Sequence, residues 1–159
     1  MTNVIELRRL ELRDLNEIEE IERGSYPTPW SRSMFASELA KPSSLSLGAF
    51  DRKTSELLGY LVISRYVDAW HVMNVAVAPA RRRQGIASLL LDRLFELTSG
   101  RSRRGYTLEV RVSNNAAIKL YERLGFRPRG VRRGYDTDNR EDALIMWKDP
   151  VSDSAADSS

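Results

Sequence analysis

Cysteine is absent from the 159 residues. Disulfides, thiolate metal ligands and an acyl-cysteine intermediate are therefore closed to this chain. Histidine occurs once, at His71, which excludes metal sites built on several imidazoles. Lying mid-strand, His71 is expected to be structural, and no metal is expected at all. No stretch approaches the roughly 20 apolar residues that a membrane-spanning helix needs. The opening MTNVIELRRLELRD also lacks the basic-then-apolar layout of a secretory leader. A cytoplasmic protein without a membrane partner is expected. Acid–base chemistry is left to carboxylates, tyrosines, lysines and water.

What remains is the balance of a folded domain: 42% hydrophobic and 30% charged residues, with length for one compact core and too little for two. The net charge is only +3, but arginines gather at Arg81 to Arg83, around Arg101 and Arg104, and from Arg127 to Arg133. Such patches raise the reading of a non-catalytic ribosome- or RNA-binding module. They lack the interleaved aromatics of an RNA platform, so no direct nucleic-acid contact is required.

Periodicity gives the elements. VIELRRLEL reads as a strand. Asp14 and Glu17 have the spacing of a capping box, and Leu15, Ile18 and Ile21 recur at helical intervals, so a helix spans about 14–23. Ser31 caps a second helix, turning Met34, Phe35 and Leu39 inward before Pro42. Strands follow at 44–51, 57–66 and 69–77, the first two joined by a polar turn at Asp51 to Thr54. From Gly85 the period becomes helical, with Ile86, Leu90, Leu94 and Leu97 on one face. Tyr106, Leu108, Val110 and Val112 then alternate as a half-buried strand. Asn114 or Ser113 caps a helix with Ala117, Ile118, Tyr121 and Leu124 on one side, and Gly125 closes it. Strands at 126–135 and 142–148 flank a turn at 136–139. The order β-α-α-β-β-β-α-β-α-β-β implies an α/β fold with a mixed, mostly antiparallel sheet of about seven strands and about four helices on both faces. Residues 1–149 form one domain, and the small, polar stretch 150–159 is expected to be a disordered tail.

The segment MNVAVAPARRRQGIASLLL carries the strongest chemical signal. A strand enters, an arginine-rich loop turns, and an amphipathic helix leaves from Gly85. Free N–H groups at a helix start, approached by arginines and a glycine, make an anion site suited to a pyrophosphate. Small Ala87 keeps the first turn free of bulk. The loop is neither a Walker loop nor a three-glycine dinucleotide fingerprint.

These residues carry a resemblance. Asn74-Val75-Ala76-Val77 with Pro79, then Arg82-x-x-Gly85-x-Ala87, resembles the acetyl-CoA motif of the GNAT acetyltransferase superfamily. Leu108-Glu109-Val110-Arg111-x-Ser113-Asn114-x-x-Ala117-x-x-Leu120-Tyr121-x-x-x-Gly125-Phe126 is similar to the signature of its RimI branch, whose members acetylate the N-terminal alanine of a small-subunit ribosomal protein. Arg132-Arg133-x-Tyr135 and Arg140 to Ala143 extend the match, and Tyr26-Pro27-x-Pro29-Trp30-Ser31 is similar too. Alanine at 87 stands where the family often has a second glycine.

The resemblance implies an N-acetyltransferase using acetyl-CoA, with transfer to a protein N-terminus in a ternary complex. It implies that Val75, Ala76 and Val77 pair with the pantetheine arm where two central strands splay into a groove. N–H groups from Arg83 through Gln84, Gly85, Ile86 and Ala87 to Ser88, with Arg82 beside them, hold the pyrophosphate, and Asn114 lies on the pantetheine side. Glu109 becomes the general base and Tyr121 the general acid. The chemistry of the groups agrees, because an N-terminal amine with a pKa near 8 must lose a proton before it attacks. The alternative for Glu109 is simple pairing with a neighbouring arginine, and for Tyr121 a plain core role. Tyr26, Pro27 and Tyr135 are the candidate walls for the acceptor, and Glu22 with other acids of the first helix would favour a basic peptide. A small amine or a lysine side chain is the rival acceptor.

Overall fold

The computed structural model describes residues 4–26, 28–101, 103–134 and 141–151. In chain order the elements are β1 (Ile5–Arg9), α1 (Leu15–Ser25), α2 (Arg32–Ala40), β2 (Ser44–Asp51), β3 (Leu57–Tyr66), β4 (Ala69–Val77), α3 (Ile86–Thr98), β5 (Gly105–Arg111), α4 (Asn115–Arg123), β6 (Arg127–Arg132) and β7 (Ala143–Lys148). Hydrogen-bonded neighbours run β1-β2-β3-β4-β5-β7-β6 in one seven-stranded sheet. β4 with β5 is parallel, whereas β1–β2, β2–β3, β5–β7 and β6–β7 are antiparallel. The α/β expectation with its mixed sheet and four helices holds. No helix among the described residues is long and apolar enough to cross a membrane.

The chain divides into two compact units, Met1–Ser64 with Met73–Leu94, and Arg65–Val72 with Phe95–Ser159. In the first, Leu15, Ile18 and Ile21 of α1 and Phe35 of α2 bury against Phe50, Leu57, Tyr60, Val62 and Ala76. Each large side chain removed from water in this way contributes about 1.5–3 kcal/mol. Phe35 is the hub, its ring 5.1 Å from Trp30 and 5.8 Å from Tyr60.

Three local expectations fail here, each because another partner or neighbour takes the place. Asp14 does not cap α1 through its side chain. A 3-10 turn, Leu12–Asp14, runs straight into the helix, and the Asp14 carboxylate instead takes the Glu11 N–H at 2.7 Å and the Arg8 guanidinium at 3.0 Å. Glu17 reaches away from its own helix to accept the Leu57 N–H at 2.9 Å. Met34, expected inside, is 46% exposed, because Phe35 and Glu38 occupy the inner face of α2. Ser31 does cap that helix, accepting from the Met34 N–H at 3.3 Å.

The second unit is built on an aromatic series. Phe95 meets Tyr106 at 4.9 Å and Phe126 at 6.3 Å, and Phe126 meets Tyr121 at 5.8 Å. Leu97, expected on the buried face of α3, is 37% exposed, and Phe95 takes that place at 8%. β5 ends at Arg111, one residue short of the expected Val112, which is exposed. Thr107, on the opposite face to Tyr106, is buried as well, and its hydroxyl donates to the Met146 carbonyl at 2.9 Å. Asn114 caps α4 by accepting the Ala117 N–H at 3.2 Å. At the other end, Gly125 adopts φ +100° and the Phe126 N–H bonds back to the Tyr121 carbonyl at 2.9 Å, with Gly125 N–H on Glu122. This paired closure satisfies carbonyls that the helix end leaves over, and the left-handed residue favours glycine.

The β4–β5 register comprises Ala69↔Gly105, Trp70↔Tyr106 and His71↔Thr107. His71 packs edge-on to Tyr66 at 5.9 Å. The strand expected at 126–135 is shorter, Arg127–Arg132. The expected turn at 136–139 and the tail beyond Val151 lie outside the described residues.

Candidate active site

The anion loop belongs to the first unit. After β4 a 3-10 turn, Pro79–Arg81, leads into the loop, and α3 begins at Ile86. Arg83 has φ +65° and Gly85 φ +78°, so two left-handed residues flank Gln84. That alternation turns successive backbone N–H groups toward one side, as in anion-binding concavities. The Leu89 N–H bonds to the Gly85 carbonyl at 3.0 Å, closing the first helical turn. By helix geometry the N–H groups of Ile86, Ala87 and Ser88 precede any intrahelical acceptor, and the helix dipole adds partial positive charge there.

A Cβ built on Gly85 would meet no atom within 4 Å. Glycine at this point is therefore favoured by its φ and not by crowding from the protein, and the space in front of it is open. A cradle of this kind fits a phosphate oxygen approaching the backbone. Ile86 is 1% exposed, so only its backbone can serve a ligand, and its side chain anchors the helix start. Gln84 is exposed, and Ala87 and Ser88 are half-buried.

Arg82 turns back on the strand that precedes it. Its Nε donates to the Val77 carbonyl at 3.1 Å, and Nη2 donates to the Ser25 hydroxyl at 3.2 Å. Arg81 is held by Asp51 at 3.2 Å. The arginines at the loop's start thus brace it against β2, β4 and α1.

Tyr26, expected to wall the acceptor, is tied to β4. The Tyr26 hydroxyl donates to the Val75 carbonyl. Trp30 N–H donates to Glu22 Oε2 at 2.9 Å. Glu22 is 1% exposed, and it also accepts from the Tyr60 hydroxyl and from Asn74 Nδ2 at 3.0 and 3.1 Å. Glu22 is thus no solvated acid awaiting a basic peptide. It is a buried hub that joins α1, β3, β4 and the loop. Burial, and then the bond to this carboxylate, push the Tyr60 phenol well above its ordinary pKa, which keeps it a donor. The clue was legible: Glu22 stands four residues after Ile18, on the apolar side of α1. Pro27 lies outside the described residues, as does Tyr135.

Replacing Glu22 with glutamine exchanges one acceptor for an amide that meets N–H donors head-on. We expect a loss of about 2 kcal/mol, the scale of a buried donor left unpaired, read as a lower urea midpoint at unchanged slope. An unchanged midpoint would mean that the hub carries no net stability.

The proposed acid and base belong to the second unit. Glu109 lies on β5 opposite Ile145 of β7, with its side chain 21% exposed. Arg132 Nε donates to both its oxygens, at 2.7 and 2.9 Å. The pairing weighed as an alternative from the sequence is therefore real, and it had no local signal, because the partner sits two strands away. Tyr121 is 6% exposed on α4, packed on Phe126, a setting that fixes its ring. Asn114 uses Oδ1 for its cap at the exposed start of α4. Ser113 N–H is taken by Glu141 at 2.7 Å. Among the described residues no cluster of three or more histidines and carboxylates could hold a metal ion.

The model of the acetyltransferase (GNAT) family matches residues 15–126. The chain is 37% identical over 139 residues to the [ribosomal protein bS18]-alanine N-acetyltransferase of Escherichia coli (strain K12), covering 86% of this chain and 92% of that one. The crystal structure of the ribosomal-protein-S18-alanine N-acetyltransferase from Escherichia coli superposes with a TM-score of 0.83 at 35% identity, over 93% and 94% of the two chains. Arabidopsis thaliana NAA60, solved in complex with acetyl-CoA, shares the fold with a TM-score of 0.80 at 24% identity, over 89% and 96%. With a family match across most of its length, and a relative aligned nearly end to end, the chain belongs to the GNAT family and is an acetyltransferase.

Proposed function

We propose that this enzyme transfers acetyl from acetyl-CoA to the N-terminal amine of a protein, alanine first, and that a small-subunit ribosomal protein is the acceptor. The observation that carries the cofactor half is the open-faced start of α3, where Arg83 and Gly85 take left-handed φ and nothing stands within 4 Å of a Cβ on Gly85. The acceptor half is supported by the E. coli relative, named for acetylating alanine of bS18.

Acetyl-CoA supplies an activated thioester. The backbone N–H groups from Arg83 to Ser88 hold its pyrophosphate, the backbone of Val75 to Val77 lines the pantetheine arm, and Asn114 lies on that side. Glu109 accepts a proton from the acceptor's ammonium, directly or through one water. Tyr121 gives a proton or a hydrogen bond to the departing thiolate. No thiol is available for an acyl-enzyme, so attack by the amine on the bound thioester is direct. Tyr26, Pro27 and Tyr135 wall the acceptor, with Tyr26 and Trp30 kept in place by β4 and the Glu22 hub.

An acceptor screen tests this. With acetyl-CoA constant, kcat/KM for peptides beginning Ala, Ser and Met is compared with that for spermidine and free lysine. We expect the Ala peptide to lead spermidine by at least about tenfold, the discrimination available from one well-filled pocket. A leading small amine would overturn the N-terminal reading and leave the enzyme an acetyltransferase of another acceptor.

A further inference from the structure

We propose that Arg132 is the internal occupant of the acceptor's ammonium subsite, holding the Glu109 carboxylate in the acceptor-free enzyme and yielding it to the incoming α-ammonium. This rests on the reading that the acceptor amine comes to Glu109.

The geometry starts at the register. Glu109 faces Ile145 of β7, which faces Gly130 of β6, while Arg132 faces Ala143 two residues along. To reach Glu109, the Arg132 side chain must cross β7 diagonally. Ala143, with no more than a methyl group, leaves room for it. The crossing ends with Nε 2.7 Å from one carboxylate oxygen and 2.9 Å from the other. A cation therefore already sits on the carboxylate to which an acceptor ammonium would give its proton.

Chemistry makes this occupant a placeholder and not a relay. A guanidinium does not deprotonate in proteins, so Arg132 cannot pass the acceptor's proton along. Its single Nε–H bridges both oxygens, so an α-ammonium that is to take this bridging position must displace it. The pair is also cheap to open. Arg132 comes from β6, which ends the sheet order, and its side chain is 58% exposed. Exposed pairs are worth about 0.2–1 kcal/mol, a factor of about five in an equilibrium constant at most. An incoming ammonium forms the same class of charge-assisted bond with the same carboxylate. The exchange is near even, and the enzyme's own cation acts as a weak competitor. In this arrangement the charge of Glu109 is never left bare between turnovers.

Calorimetry on the full-length enzyme, with CoA in place of acetyl-CoA to prevent turnover, tests the idea. An Ala-starting peptide and its N-acetylated form are titrated into wild type and into R132Q, R132K and R133Q. R132Q is expected to bind the free-amine peptide about three- to fivefold tighter and the acetylated peptide as before. R132K supplies a replacement cation and returns within twofold of wild type. R133Q removes the same charge next door and changes neither peptide. Unchanged or weaker amine binding by R132Q overturns the proposal. So does a gain shared by the acetylated peptide or by R133Q, since that reports only a general field. In an E109Q background the R132Q effect disappears if the two residues share one subsite, and persistence of the effect counts against it. The turnover of E109Q alone judges the base assignment. An inactive E109Q with an indifferent R132Q removes this inference and leaves the base in place; a fully active E109Q removes the base reading itself.

Discussion

Glu109→Gln is expected to turn over about 10²-fold more slowly than wild type at neutral pH, with acetyl-CoA affinity almost unchanged. Glutamine keeps the size of the side chain and can still accept from Arg132, so the 2.7 Å contact survives in part and the fold is untouched. What disappears is the capacity to take a proton, and positioned acids and bases contribute on that scale. The pH dependence separates base from architecture. An N-terminal amine titrates near pH 8; above that it arrives already neutral and needs no base. The variant should therefore recover part of its rate as pH rises from 7 toward 9. Tyr121→Phe keeps the ring, and with it the 5.8 Å contact to Phe126, while removing the hydroxyl proposed to donate to the thiolate. Its rate should fall as well, without alkaline rescue, because the missing step is donation. Steady-state rates across pH 6–9 for the two variants decide the matter. Near-normal turnover by Glu109→Gln at pH 7 would return the proton to ordered water.

A bulky substitution at Gly85 should weaken cofactor binding far more than it weakens the fold. Gly85→Ala places a Cβ at φ +78°, a conformation that costs a non-glycine residue roughly 1–2 kcal/mol. Gly85→Leu has the same backbone penalty, and no protein atom stands within 4 Å of its Cβ, so both variants should melt at similar temperatures. Their affinities should differ. The leucine side chain fills the space in front of the N–H groups of Ile86, Ala87 and Ser88, and loss of two charge-assisted hydrogen bonds at about 1.5–3 kcal/mol each weakens acetyl-CoA binding by 10²-fold or more. Titration calorimetry reads this directly. Equal affinity in the leucine variant and wild type would mean that the pyrophosphate does not lie on this helix start. Comparing alanine with leucine separates strain in the loop from obstruction of the ligand.

Much of the molecule could be read from residues a few positions apart. Ser31 and Asn114 cap their helices by bonds three residues long, and Gly125 closes α4 through its immediate neighbours. The alternation of β5 and the helical period from Ile86 follow from which side chains must leave water, and the seven strands and four helices follow from those patterns. The loop before α3 was legible as a turn and a helix start, since both are local. Glu109 and Tyr121 stood out through their family signature.

Other features depended on partners far along the chain. Glu22 meets Tyr60 and Asn74 across sequence separations of 38 and 52 residues, and Arg132 meets Glu109 across 23. No periodicity reports a bond of that length; it exists only once β3, β4 and the β5-β7-β6 ladder are in register. Asp14 and Glu17 fit the spacing of a capping box, yet Arg8 and the Leu57 N–H draw their carboxylates elsewhere. Met34 and Leu97 have the right period and the wrong side, because Phe35 and Phe95 already fill the space they would need. Local sequence therefore determined the elements, the caps of α2 and α4 and the turn at Gly85, whose interactions close within a few residues. Which carboxylate is a buried hub, and which cation rests on Glu109, was decided by tertiary packing, where desolvation and long-range hydrogen bonds outweigh any preference a short segment can hold.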